Sequence, residues 1–305
     1  MLSEIKSIPA QSKYFLENSG SYSLPLHVPY IGMGSSYFAP LAFKYMGIKI
    51  YPELASEFFN YLHVGKKLMD GVLLSQSGKS SEVLWCRSCF EKYTAISNFT
   101  DSPLCQSSAV NQVIPILAGE EKFSSSKTYI NSLLALFKGF HIDVQKAVEL
   151  LHTKFDTYDQ QGEALANAVY ERLQLGKVSG IYITGSGPNL ATAMEAGLIM
   201  SEMTKLNFHG LPLAQYDHGP KETAKDSIVI QIISKGKSYD RSIRLAEVIR
   251  SAGAMVLTVE EPEASEDESV LHTIVPFNFM GYYLSKKLKV QDTFLVGGKV
   301  TEVEE

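Results

Sequence analysis

Several function classes lack support in this chain. Its 305 residues hold three cysteines, an odd number that builds no disulfide framework, so a reducing, cytoplasmic setting is expected. No apolar run approaches the roughly 18–20 residues that span a bilayer; the longest candidates, 228–233 and 198–200, are strand-length or shorter. The polar start Met1-Leu2-Ser3-Glu4-Ile5-Lys6 is unlike a signal peptide, and no membrane association is expected. Positive charge is not in excess, with 28 Lys+Arg against 33 Asp+Glu and a net charge of −5, so no global field would hold a phosphate backbone and no nucleic-acid partner is expected. Low-complexity stretches are absent, and the acidic run 260–268 reads as a solvated loop. What remains is an ordinary globular composition, 45% hydrophobic and 20% charged. At roughly 100–200 residues per domain, the length predicts two domains or one large one.

The chain carries an internal repeat. Pro29-Tyr30-Ile31-Gly32-Met33-Gly34 is echoed by Ile181-Tyr182-Ile183-Thr184-Gly185-Ser186-Gly187, each an apolar strand running into Gly-x-Gly. Leu73-Leu74-Ser75-Gln76-Ser77-Gly78-Lys79-Ser80 returns as Ile232-Ile233-Ser234-Lys235-Gly236-Lys237-Ser238, and Val113-Ile114-Pro115 as Ile274-Val275-Pro276. The three landmarks recur in order at about half the chain length, which predicts a tandem duplication. Short Val/Ile/Leu runs alternate with amphipathic segments such as 81–93 and 240–252, the pattern of βαβ units around a buried parallel sheet. The class is α/β, with a first domain over 1–155 and a second over 156–305. Helices are predicted near 127–151 and 160–175.

Loops that follow strands and open helices suit anions, because helix N–H groups point at them. The third glycine of a dinucleotide fingerprint is missing, with Tyr37 and Leu190 in its place. The glycine of a P-loop is replaced by Leu73 in one copy and Gln231 in the other. Neither a nicotinamide cofactor nor ATP is expected. Ser75, Gln76, Ser77 and Ser80 together suit a phosphomonoester, with Lys79 adding charge; the same serines also suit a helix cap and a polar turn. The loop Ser234–Ser238 has fewer hydroxyls and is the weaker candidate.

These residues, with Gly34-Ser35-Ser36-Tyr37, Ser124-Ser125-Ser126-Lys127, Ala193-Met194-Glu195, Glu202 and Asp217-His218-Gly219-Pro220, resemble the sugar-isomerase (SIS) family. Within it they are similar to the isomerase portion of the glucosamine-6-phosphate synthases, over nearly the whole chain. The resemblance implies two tandem SIS domains, each a doubly wound parallel five-stranded sheet flanked by helices. It implies that Gly34, Ser35, Ser36, Ser75, Gln76, Ser77, Ser80 and Ser125 in the first domain, with Glu195 in the second, bind a sugar phosphate. It further implies that Glu202 moves a proton between adjacent carbons, that His218 from a second subunit opens the ring, and that Lys299 closes over the substrate, in a homodimer with shared sites and no cofactor or metal. An aldose–ketose interconversion needs such acid–base groups. Two departures stand out. Ile199 occupies the place of an expected lysine, and Lys79 that of a residue often glutamate. Because Met1-Leu2 leads straight into this portion, glutamine is not expected as the ammonia source. The resemblance thus points to interconversion of glucosamine 6-phosphate with fructose 6-phosphate and free ammonia, the alternatives being a phosphoglucose or phosphomannose isomerase and a non-catalytic sugar-phosphate sensor.

Glu195, Ile199 and Glu202 share one helical face. Buried carboxylates on so apolar a helix suit acid–base work, with Glu195 orienting a neighbour, whereas an exposed polar stripe is the plain alternative. Asp217 beside His218 could fix its tautomer, and His209 is a spare candidate. Cys86-Arg87-Ser88-Cys89 lies inside a predicted helix and reads as core packing, with Trp85. Lys299 near the end is either a clamp, hinged at Gly297 and Gly298, or a frayed terminus.

Overall fold

The computed structural model describes residues 1–301, and the chain divides into two compact units. The first comprises Lys6–Lys146 together with the chain from Phe294 onward; the second comprises Ala147–Thr293 with Met1–Ile5. The division falls between Lys146 and Ala147 rather than near 155, and the C-terminal tail belongs with the first half rather than the second.

In the first unit, strands β1 (Pro29–Gly32), β2 (Tyr51–Leu54), β3 (Val72–Leu74), β4 (Tyr93–Ser97) and β5 (Val110–Pro115) form a parallel sheet in the order β2-β1-β3-β4-β5. All three residues of β3 and all five of β4 are buried. A parallel strand covered on both faces reads as a continuous apolar run, which is how β3, Val-Leu-Leu, reads in the sequence, whereas β4 (Tyr-Thr-Ala-Ile-Ser) buries two small hydroxyl residues as well. Ile31, Leu73, Val83, Cys86, Cys89, Phe90 and Tyr93 fill one core against this sheet.

Helix formation after the Ser-rich loop is shorter than the predicted 81–93. Five helical residues, Ser81–Trp85, pass into a 3-10 turn over Cys86–Cys89. Side chains draw off the main chain there: Arg87 Nε donates to Leu84 O at 2.9 Å and Ser88 Oγ to Trp85 O at 2.8 Å. All three cysteines are free and buried, and burial pushes the Cys86 thiol up, as a packing role requires. The predicted helices near 127–151 and 160–175 are instead Lys127–Gly139 and the 30-residue Gln145–Gln174. The break between them includes His141 in the left-handed region and Asp143, whose carboxylate accepts from Gln145 N at 3.0 Å.

The second unit repeats the arrangement with one strand fewer. Strands β6 (Ile181–Gly185), β7 (Phe208–Pro212), β8 (Ile228–Ile232) and β9 (Met255–Val259) are parallel in the order β7-β6-β8-β9, the same order as β2-β1-β3-β4. The expected fifth strand is absent from this sheet, which corrects the prediction of two five-stranded sheets. Ile274-Val275-Pro276, the supposed counterpart of β5, joins the helices Val270–Thr273 and Val275–Lys287, with Pro276 in the first turn, where a missing N–H costs nothing. A short apolar run reads alike as a buried strand or a buried helix, and here nine residues of the second helix are buried. The run 260–268 is not simply solvated either. Glu261 is buried, and its Oε2 accepts from Tyr158 Oη at 2.7 Å. Among the described residues, no helix is long and apolar enough to cross a membrane.

Candidate active site

The first unit builds its site at the carboxyl ends of β1, β3 and β4. After β1, Gly34 (φ +50°) starts the helix Ser35–Tyr45, placing Ser35 and Ser36 in its first turn. A Cβ on Gly32 would lie 2.4 Å from Ser36 O, so only glycine permits this approach of helix to strand.

After β3 the loop 75–80 closes on itself. Ser75 Oγ accepts from Gly78 N at 3.1 Å and lies 3.1 Å from Ser80 Oγ, while Ser77 Oγ accepts from Lys79 N at 3.1 Å. Gly78 adopts φ +64° with its α-carbon pressed towards Ser102: a Cβ there would fall 2.0 Å from Ser102 Oγ. Leu104 N donates to Gly78 O and Asn98 N to Gln76 O, both at 3.1 Å, tying the loop to the segment after β4. The result is a pre-formed turn of hydroxyls.

A cavity of about 360 Å³ opens beside it, lined by Gln76, Ser77, Lys79, Ser102, Glu121 and Lys299 among others, within the size range of small-ligand sites. Of the expected phosphate-binding residues, Gln76 and Ser77 face this cavity. Ser75 and Ser80 stand behind them as mutual hydrogen-bond partners, with Ser75 only 2% exposed. Ser125 Oγ lies 3.3 Å from Thr128 Oγ1 in the neighbouring loop.

Two residues of this site were not singled out from the sequence. Ser102 is buried, lines the cavity, and its hydroxyl has no hydrogen-bond partner among the described residues; a buried unsatisfied hydroxyl facing a cavity is available to a ligand. Glu121, with a fully buried side chain, is the hub. Its carboxylate accepts from Ser126 N (3.1 Å), Ser126 Oγ (2.8 Å), Thr128 N (3.3 Å) and Thr128 Oγ1 (2.5 Å), capping the helix Lys127–Gly139 with negative charge. Lys299 Nζ completes it, donating to Glu121 Oε1 at 3.0 Å and Glu121 O at 2.9 Å. The tail is therefore docked at Lys299, not frayed. In the sequence Glu121 is one of two adjacent acids in a glycine-led loop, and nothing local separates it from Glu120.

The other sequence-predicted residues belong to the second unit. Glu195 and Ile199 are fully buried on the helix Asn189–Thr204, and Glu202 is half-buried one turn on, which removes the exposed-stripe alternative for Glu195. His218 is exposed at the end of the short helix Leu213–Asp217. The expected Asp217–His218 partnership is not made: Asp217 Oδ1 accepts from Lys221 Nζ and Oδ2 from Arg241 Nη2, each at 3.0 Å, and these cations hold its carboxyl below the usual range. Two fixed positive partners outcompete an imidazole. His209 lies exposed on β7, its ring 5.8 Å from that of Tyr182. No cluster of three or more His, Cys, Asp or Glu able to hold a metal ion occurs among the described residues.

No family model matches the chain. The glutamine–fructose-6-phosphate aminotransferase of Sulfolobus acidocaldarius is 26% identical over 263 residues, covering 81% of this chain and 43% of the relative. The chain spans less than half the length of the curated relatives it matches. Among solved structures, the C-terminal domain of the glucosamine-fructose-6-phosphate aminotransferase of Francisella tularensis superposes with a TM-score of 0.76 at 18% identity, covering 94% of this chain and 96% of that one. Glucosamine-6-phosphate deaminase from Thermotoga maritima gives 0.75 at 19%, covering 96% and 95%. In sequence the chain is thus similar to the isomerase portion of the glutamine–fructose-6-phosphate aminotransferases, and its fold is the one these sugar-phosphate proteins share.

Proposed function

We propose that the chain is a sugar-phosphate isomerase that converts glucosamine 6-phosphate and water into fructose 6-phosphate and ammonia. The observation that carries this reading is the hydroxyl turn 75–80 beside a cavity that also holds Lys79 and Lys299. A phosphomonoester brings three acceptor oxygens and nearly two negative charges. Ser77 Oγ, Gln76 and the Ser102 hydroxyl offer donors, and Lys79 supplies charge. Ser35 and Ser36 support the sugar from the adjoining turn.

For the chemistry, His218 of a second subunit in a homodimer transfers a proton to the ring oxygen. Glu202 then takes the proton from C2 of the open aldehyde form and returns it to C1. The resulting C2 imine adds water and expels ammonia. Glu195, buried on the same helix as Glu202, orients a neighbouring group. Lys299, which donates to Glu121, turns towards the bound substrate. The similarity of fold to a glucosamine-6-phosphate deaminase supports the reaction class. The second reading, plain aldose–ketose isomerisation of a hexose 6-phosphate, draws on Ile199: where a lysine was expected stands a fully buried apolar side chain, so handling of an amine there differs.

Purified protein incubated with glucosamine 6-phosphate is expected to release ammonia in step with fructose 6-phosphate. Isomerisation of glucose or mannose 6-phosphate without ammonia selects the second reading, and tight binding with no turnover of any of them selects a sensor. Ser77→Ala is expected to raise KM by about 10-fold or more, the worth of a hydrogen bond to a charged group, with kcat little changed. Glu202→Gln is expected to lower kcat by about 100-fold or more, as loss of a general base does.

A further inference from the structure

The second unit repeats the strand order of the first, so it also repeats the place where the first offers an anion cradle: Gly187 after β6, and Ser234-Lys235-Gly236-Lys237-Ser238 after β8, ahead of the helices Asn189–Thr204 and Tyr239–Ser251. That place is taken. The Glu266 carboxylate lies where a Cβ on Gly236 would stand, with Cδ 2.0 Å and both oxygens 2.2 Å from that position, and Oε1 is 3.2 Å from the same point on Gly187. Two glycines from the two loops thus face one carboxylate. In the first unit the corresponding loop, the one after β4, puts the neutral Ser102 hydroxyl against Gly78.

The main chain at Glu266 is tied to the helix Asn189–Thr204. Asn189 Nδ2, in the first turn of its helix, donates to Ser269 Oγ at 2.6 Å, and Ser269 Oγ donates to Glu266 O at 2.6 Å. Thr273 Oγ1 donates to Asn189 Oδ1 at 2.7 Å, and Asn189, Ser269 and Thr273 are all at most 1% exposed. Lys235 Nζ reaches Pro262 O at 3.1 Å, fastening the acidic segment to the loop. Thr184 of β6 and Gln231 of β8, each one residue before its strand's end, are register partners; both are fully buried, and their side-chain polar atoms have no hydrogen-bond partner among the described residues.

We propose that the second unit contains a second cradle for a phosphomonoester or similar tetrahedral oxyanion, occupied in cis by the Glu266 carboxylate, and that removing this carboxylate opens it. Lys235, Lys237 and the two helix N-termini supply the positive potential for an incoming anion. The proposal goes beyond the function assigned to the first cradle and fails separately from it.

Equilibrium dialysis of the full chain against labelled inorganic phosphate counts the sites. Wild type is expected to bind one phosphate per chain, and Glu266→Ala to bind two. Glu266→Gln keeps the shape, serves if the alanine variant fails to fold, and is also expected to bind two. The gained site is expected to be about 10-fold or more tighter than any second site of wild type, a shift of about 1.4 kcal/mol or more. Adding Ser77→Ala is expected to weaken one site of the Glu266 variants and leave the other. If wild type binds none and the Glu266 variants bind one, the assignment of the first cradle falls and the second stands. Equal site numbers in wild type and folded Glu266 variants overturn the proposal, as does a gained site that Ser77→Ala abolishes.

Discussion

A buried ionisable group is informative through the partners it keeps, and Glu121 and His272 show two opposite solutions. The Glu121 carboxylate is enclosed by four donors and Lys299. Glu121→Ala leaves the helix N-terminus and the tail lysine without an acceptor, and is expected to destabilise the protein by about 3 kcal/mol, the lower end for breaking a buried pair, because Lys299 keeps some contact with water. Chemical denaturation measures it; a loss below about 0.5 kcal/mol, the level of an ordinary surface change, would contradict the hub. His272 is fully buried with Nδ1 3.0 Å from Tyr158 Oη, and burial pulls its imidazole down to about 4, against the opposing pull of Glu261 and Glu268. Between about pH 6.5 and 4 the unfolded chain takes up a proton that the folded chain refuses, so stability is full above about 6.5 and falls with pH towards 4. The loss is of order 3 kcal/mol. Urea titrations at several pH values are expected to show this slope in wild type and to lose it in His272→Asn.

At the scale of elements, glycines set how closely helices approach strands. Gly210 of β7 faces the helix Asn189–Thr204 so closely that a Cβ would lie 2.1 Å from Ala193 O, and Gly197 on that helix returns the contact at 2.6 Å from Gly210 N. Main chain on both sides leaves nothing flexible to yield. Gly210→Ala is therefore expected to cost about 1–3 kcal/mol, the range for overpacking, and to displace the helix that carries Glu195 and Glu202; a thermal melt and the KM and kcat of the variant check both. Strand identity was legible where the apolar run was short and bounded by turn signals, as in β3 and β8. It was not legible at Ile274-Val275-Pro276, because a run buried on all sides has no periodicity to separate strand from helix. The 3-10 turn at Cys86–Cys89 was equally hidden, since side chains of Arg87 and Ser88 decide it by bonding the main chain.

At the scale of the whole molecule, the proposed chemistry draws His218 from a second copy. Chains carrying Glu202→Gln and His218→Asn, each inactive alone, would then complement when co-expressed. A heterodimer of the two concentrates both lesions in one site and leaves the other intact, so random pairing is expected to restore roughly a quarter of wild-type activity. No recovery, with light scattering showing mixed dimers, would place His218 and its site on one chain.

By itself the sequence determined the α/β class, the internal repeat and the hydroxyl turn at 75–80. These follow from local chemistry: buried parallel strands read as apolar runs, and glycine and serine mark strand-to-helix turns wherever they occur. Only the tertiary structure decided that Lys299 meets Glu121, that Asp217 goes to Lys221 and Arg241 and not to His218, and that the Glu266 carboxylate packs against Gly236 and Gly187. Lys299–Glu121 and Arg241–Asp217 join opposite charges far apart in the chain, and Glu266 meets glycines some 30 and 79 residues away; such pairings are chosen by which opposite charge or open space lies close after folding, and adjacency along the chain carries no record of them.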